Sequence, residues 1–138
     1  MVGEQFELRL IEDNNPNRKY IKVYDGLIDS PLFDACETLL LICIMMESTA
    51  QINSINTATM STSKLCKYSS MCKQTVYRYI KKLEEKGVLI KQRNSTPNNC
   101  NIANTYKVLN YISVWDCKTL KELKKETDRI KREVLING

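Results

Sequence analysis

One stretch constrains this chain more than any other: Lys73 to Lys86, KQTVYRYIKKLEEK, followed by Gly87. At ~100° per residue counted from Gln74, Val76, Tyr79, Ile80 and Leu83 fall on one arc between ~140° and ~240°. Tyr77, Arg78 and Lys81 group with Gln74 on the opposite side, between ~300° and ~40°. This spacing predicts an amphipathic helix with its apolar arc in a core and Gly87 closing it as a left-handed cap. The first three turns of the exposed side hold no acid, and Glu84 and Glu85 come only at the far end.

The neighbours of this helix predict an order of elements. Ser61 can cap a short helix, Thr62 to Tyr68, with Leu65 facing inward. Ser69 to Cys72 is a short connection, and Val88 to Arg93 reads as a strand. Asn94 to Asn101 (NSTPNNCN) is turn-rich, and Ala103 to Asn110 reads as the return strand. Helix, turn, helix and hairpin is the order of a winged helix. The expected fold class is therefore mainly α with a small β-hairpin wing, a winged helix-turn-helix, plus a carboxy-terminal helix.

Upstream, residues 5–11 alternate as a strand, Asp13 to Arg18 reads as a turn, and Tyr20 to Tyr24 as a second extended segment. Ser30-Pro31 resembles a helix start. From Leu32 to about Ser48 the chain is apolar on nearly every side, which predicts a central buried helix. Residues 49–60, rich in Thr, Asn and Ser, read as a loop. Downstream, Asp116 is expected to cap a helix to about Leu135, with Leu120, Leu123, Ile130 and Val134 near one face and Thr127 interrupting them. That face packs either on its own domain, over Leu39 to Met46, or on a second copy. The organisation expected is a lead-in over 1–24, a winged helix domain over 25–111 and a carboxy-terminal amphipathic helix over 112–138.

Charge is unevenly spread. Residues 1–61 carry 4 basic and 9 acidic side chains, a net of −5, whereas residues 62–93 carry 9 basic and 2 acidic, a net of +7. Residues 94–138 carry 8 basic and 5 acidic, completing the net of +5 for the 138-residue chain. A basic segment centred on one helix is the electrostatic footprint of a polyanion partner.

Other function classes are disfavoured. The chain has no histidine, so Ser-His and Cys-His nucleophile pairs and an imidazole base are excluded. Carboxylates such as Asp25/Asp29 and Glu84/Glu85 have no Gly-rich phosphate loop beside them, so an enzyme is not expected. The six cysteines (Cys36, Cys43, Cys66, Cys72, Cys100 and Cys117) form no C-x-x-C pair. Neither a metal site nor a cofactor is expected, and Cys36 and Cys43 read as small buried hydrophobes. Met1 to Arg9 lacks the features of a secretion signal, and Leu39 to Met46 is far short of a membrane span. A reduced, cytoplasmic protein without a membrane partner is the expectation.

The candidate DNA contacts are Lys73, Gln74, Thr75, Tyr77, Arg78, Lys81 and Lys82 on the long helix, with Lys91 and Arg93 on the following strand. Arg and Lys can pair with guanine edges or phosphates, and Gln with adenine. The Thr75 hydroxyl could meet a phosphate or satisfy its own backbone.

Residues 60–90 resemble the helix-turn-helix domain of phage and plasmid replication initiators and related regulators of Gram-positive bacteria. The shared run appears here as MSTSKLCKYSSMCKQTVYRYIKKLEEKGVLI, and YIKVYDGLIDSPLFDACETLLLICIMM is similar to that family's lead-in and first helix. The resemblance implies that Lys73–Lys86 enters a major groove and that the wing touches the flanking backbone. In two departures, Ser70 stands at the turn glycine and Cys72 at the capping serine. The expected function is double-stranded DNA binding, as a transcriptional regulator or replication-initiator module, with a possible homodimer through the carboxy-terminal helix. The alternatives are a winged helix protein-protein interaction module and a thiol sensor built on Cys66 and Cys72.

Overall fold

The computed structural model describes residues 23–50, 57–93 and 103–135. The strand expected over 5–11, the turn at 13–18, most of the second extended segment and the loop at 94–101 lie outside the described residues. Val23 and Tyr24 lead, without a strand, into a short helix α1 (Asp25–Ile28).

The central helix α2 (Ala35–Ala50) begins four residues after Pro31, not at it. Asp34 and Glu37 decide the start by capping each other. Asp34 Oδ1 accepts from the Glu37 amide at 2.8 Å, and Glu37 Oε1 accepts from the Asp34 amide at 3.1 Å. This reciprocal box satisfies two amides that a helix start otherwise leaves unpaired. Ser30 instead closes a turn, its hydroxyl accepting from the Leu32 amide at 3.2 Å. As expected from its composition, α2 is the core helix: Leu40, Leu41 and Ile44 are fully buried, and only Leu39 and Met46 among its large apolar residues are well exposed.

Residues 57–60, expected as loop, form strand β1 (Thr57–Met60). Ala58 and Met60 point into the core while Thr57 and Thr59 point away, which is the alternation of a half-buried strand. Next come α3 (Thr62–Ser69), α4 (Lys73–Lys86), β2 (Leu89–Gln92) and β3 (Asn104–Val108). The sheet is antiparallel in the order β1-β3-β2, with Ala58 opposite Tyr106 and Lys91 opposite the same tyrosine on the other side. Thr59 and Thr105 hydroxyls meet across β1 and β3 at 3.0 Å. With α2 packed across β1 and β3, this is a winged helix-turn-helix. Among the described residues no helix is long and apolar enough to cross a membrane.

Two ion pairs tie α2 to the helices that follow. Glu47, buried, pairs with Lys64 of α3. Glu37, also buried, takes both carboxylate oxygens to Lys86 Nζ at 2.6 and 2.7 Å, and the same ammonium donates to the Leu32 carbonyl at 2.7 Å.

The carboxy-terminal segment differs from expectation at its start. Asp116 ends a short helix α5 (Ile112–Trp115), and Thr119 caps α6 (Leu120–Ile130), accepting from the Glu122 amide at 3.1 Å. A π-helical turn (Lys131–Leu135) continues it. Trp115 joins the core edge-on to Phe33, with centroids 5.6 Å apart, and its indole N–H donates to Asn110 Oδ1 at 2.8 Å. On α6, Leu123, Thr127 and Ile130 are buried, so the stripe is used inside the chain. It packs on α5 and on the end of α4 rather than across Leu39 to Met46. Thr127, expected to interrupt the stripe, belongs to it; its hydroxyl donates to the Lys124 carbonyl at 3.1 Å and so stays satisfied. Leu120, expected on the buried face, is 56% exposed.

Candidate nucleic-acid interface

The interface begins at the turn between α3 and α4. Ser61 caps α3 by accepting from the Lys64 amide at 3.1 Å, and Leu65 is fully buried. Ser69 then donates to the Leu65 carbonyl at 2.7 Å and accepts from the Met71 amide at 3.3 Å, stitching the turn. Ser70, standing at the turn glycine, adopts a left-handed backbone at φ 59°. A serine there keeps the turn geometry at a modest cost in backbone strain. Cys72 takes the N-cap position of α4 without a cap hydrogen bond from its side chain.

Helix α4 runs over Lys73–Lys86, as its periodicity predicts, and buries Val76, Ile80 and Leu83. Tyr79 is half-buried at the edge of this arc. Gly87 ends the helix at φ 88°, its amide donating to the Glu84 carbonyl at 3.0 Å. That left-handed turn sends the chain into β2 and aims the wing back alongside the exposed face of α4.

Between α4 and the wing lies a groove of about 800 Å³, lined by Tyr77 and Lys81 from the helix and by Lys91 and Arg93 from β2 and its end. Thr62 and Asn104 close its floor, and Glu84 and Glu85 its far end. Tyr77 is the hinge of this arrangement. Its ring carries Lys73 Nζ at 5.7 Å and Lys91 Nζ at 5.8 Å, so helix and wing share one aromatic platform. Partial burial, and then the nearby Arg93 guanidinium, hold the Lys91 ammonium below its ordinary pKa, with Glu84 opposing the shift. A partly desolvated cation repelled by a neighbour gains more from a phosphate than a free surface lysine does.

The family model described as helix-turn-helix domain matches residues 37–89, from the capping glutamate of α2 into β2. Residues 37–89 are similar to that family. No curated protein and no solved structure matches the chain.

Within and beside this helix-turn-helix, the predicted contact residues separate into three groups. Lys73, Tyr77, Lys81, Lys91 and Arg93 converge on the groove side. Arg78 and Lys82 lie on the other flank of α4, both over the Tyr79 ring at 5.2 and 4.9 Å, while Gln74 stands exposed at the helix start. Thr75, half-buried, turns back on the helix start: its hydroxyl lies 3.1 Å from the exposed Cys72 Sγ, a contact that draws the thiol below its ordinary pKa.

Two polar groove residues, Thr62 and Asn104, escaped the sequence reading because they sit on α3 and β3, outside the helix whose periodicity was read. Tyr106 is buried nearby, and burial pushes its hydroxyl pKa up, with Asn104 and Thr62 opposing the shift. Glu84 and Glu85, read from the sequence as lying at the far end of the helix, line that end of the groove.

Proposed function

We propose that this chain binds double-stranded DNA, with α4 in the major groove and the wing on the flanking backbone. The observation that carries this reading is the convergence of Tyr77, Lys81, Lys91 and Arg93 on one groove beside the exposed Gln74 and Arg78. Phosphate contacts would come from Lys73, Lys82, Lys91 and Arg93, and base-edge contacts from Gln74, Arg78 and Lys81. Glu84 and Glu85 keep phosphates away from the last turn of α4 and so confine the contact to its amino-terminal part. We place the chain among transcriptional regulators or replication-initiator modules, on the resemblance of residues 60–90 alone.

Pairing of two copies on a palindromic site would suit a helix that reads only a few base pairs. The apolar stripe of α6 gives that idea little support, since Leu123, Thr127 and Ile130 are already covered within the chain.

Binding of the full chain to random duplex DNA across a salt series tests the reading. Affinity should fall steeply and linearly on logarithmic axes as salt rises, because bound cations displace condensed counterions. A flat response, or no binding at low salt, rejects it.

A further inference from the structure

We propose that the outward face of α6 is a second phosphate-binding surface, which holds duplex DNA beyond the groove of α4 and the wing. This rests on the reading of that groove as a DNA site. Lys121, Lys124, Lys125 and Arg132 are all exposed and line one shallow depression, of about 380 Å³, together with Asp128. At ~100° per residue, Lys124, Lys125 and Asp128 fall within ~60° of Lys121, opposite the buried Leu123, Thr127 and Ile130.

The pairing of charges along α6 singles this face out. Arg129, on the neighbouring flank, is bonded to Glu126 through two nitrogens at 2.7 and 2.8 Å and to Glu133 at 2.8 Å. Among the described residues, none of the four cations has a carboxylate partner. Lys121 and Lys125 repel each other one turn apart, and Asp128 pairs with none of its neighbours at i−4, i−3 or i+4. These cations add nothing to the packing of α6, whose apolar side is already in the core. A polyanion is the partner that would relieve their repulsion.

The chemistry of the face narrows that polyanion to a duplex backbone. Three lysines and an arginine without an aromatic residue between them can hold phosphates but offer no ring for an unpaired base. A membrane surface is disfavoured because a helix lying on lipid needs a free apolar face, and that of α6 is buried. The face is also fixed relative to α4, since Thr127 lies against Gly87. Its docking on Gly87 puts α6 at the carboxy-terminal end of α4, away from the amino-terminal residues read as base contacts.

The test compares the full chain with a variant carrying Lys121→Gln, Lys124→Gln, Lys125→Gln and Arg132→Gln, after thermal unfolding has shown that both are folded. Binding is measured by fluorescence anisotropy across a salt series, on a hairpin-closed duplex of about 8 base pairs and a duplex of about 30. On the long duplex the variant should lose roughly 3 from the slope of log affinity against log salt, and bind at least ~10-fold more weakly at low salt. On the short duplex the two proteins should bind alike. A control with Lys121→Arg, Lys124→Arg and Lys125→Arg should keep the wild-type slope. Equal slopes on the long duplex overturn the proposal, and so does an equal loss on both lengths, which would merge these cations with the groove. Failure of the groove reading shows differently: the wild-type chain then binds neither duplex, and both ideas fall together. If Arg78→Ala with Lys81→Ala weakens both lengths while α6 leaves the slope unchanged, only the second surface is lost.

Discussion

Gly87 and Thr127 meet so closely that a Cβ on the glycine would stand 2.5 Å from Thr127 Oγ1 and 3.2 Å from its Cβ. The residue that caps α4 is thus also the seat of α6. One position serves both the left-handed exit of the helix, at φ 88°, and the docking of the carboxy-terminal segment.

Gly87→Ala should therefore destabilise the protein twice over. The backbone strain alone is worth about 1–3 kcal/mol, and the contact with the fully buried Thr127 adds to it. Gly87→Ala with Thr127→Ala should relieve the contact and leave the strain. Denaturant unfolding of Gly87→Ala, Thr127→Ala and the double variant measures both parts. If the two substitutions prove strictly additive, the two residues do not touch in solution.

Arg78→Ala and Lys81→Ala should each weaken duplex binding about 5- to 100-fold while leaving thermal stability unchanged, because both side chains are exposed. Wild-type affinity in both variants at moderate salt would remove α4 from the interface.

Ile80→Ala and Leu83→Ala should cost about 2–5 kcal/mol each, since the two are 2% and 0% exposed in the core. Equilibrium urea unfolding gives the values. A loss below ~0.5 kcal/mol at either position would mean that α4 presents another face to the core.

Lys86→Met should cost about 3–5 kcal/mol, because it leaves the Glu37 carboxylate buried without its ammonium. Glu37→Gln combined with Lys86→Met should recover much of that loss, since the glutamine oxygen can still accept from the Asp34 amide. Were the double variant as unstable as Lys86→Met alone, the cost would lie in lost packing of the lysine stem over Phe33, not in charge.

The sequence by itself determined the helix-turn-helix and its cap. The apolar positions of α4, the Ser61 cap of α3 and Gly87 are local signals, each acting within a turn or two, so residues 61–87 fold as their spacing predicts. The capping box at Asp34 and Glu37, a local signal too, was passed over for the start offered by Ser30-Pro31. Strand β1 was not legible: four residues, half of them threonine, become a strand only because β3 supplies hydrogen bonds from more than forty residues away. The course of α6 likewise needed the tertiary structure, because an apolar stripe says that something covers it but not what. The same holds for the groove, where Tyr77, Lys91 and Asn104 come from three elements. Periodicity sorts side chains around one helix axis, whereas the partners that divide α4's basic face into a wing side and a Tyr79 side are chosen by long-range packing.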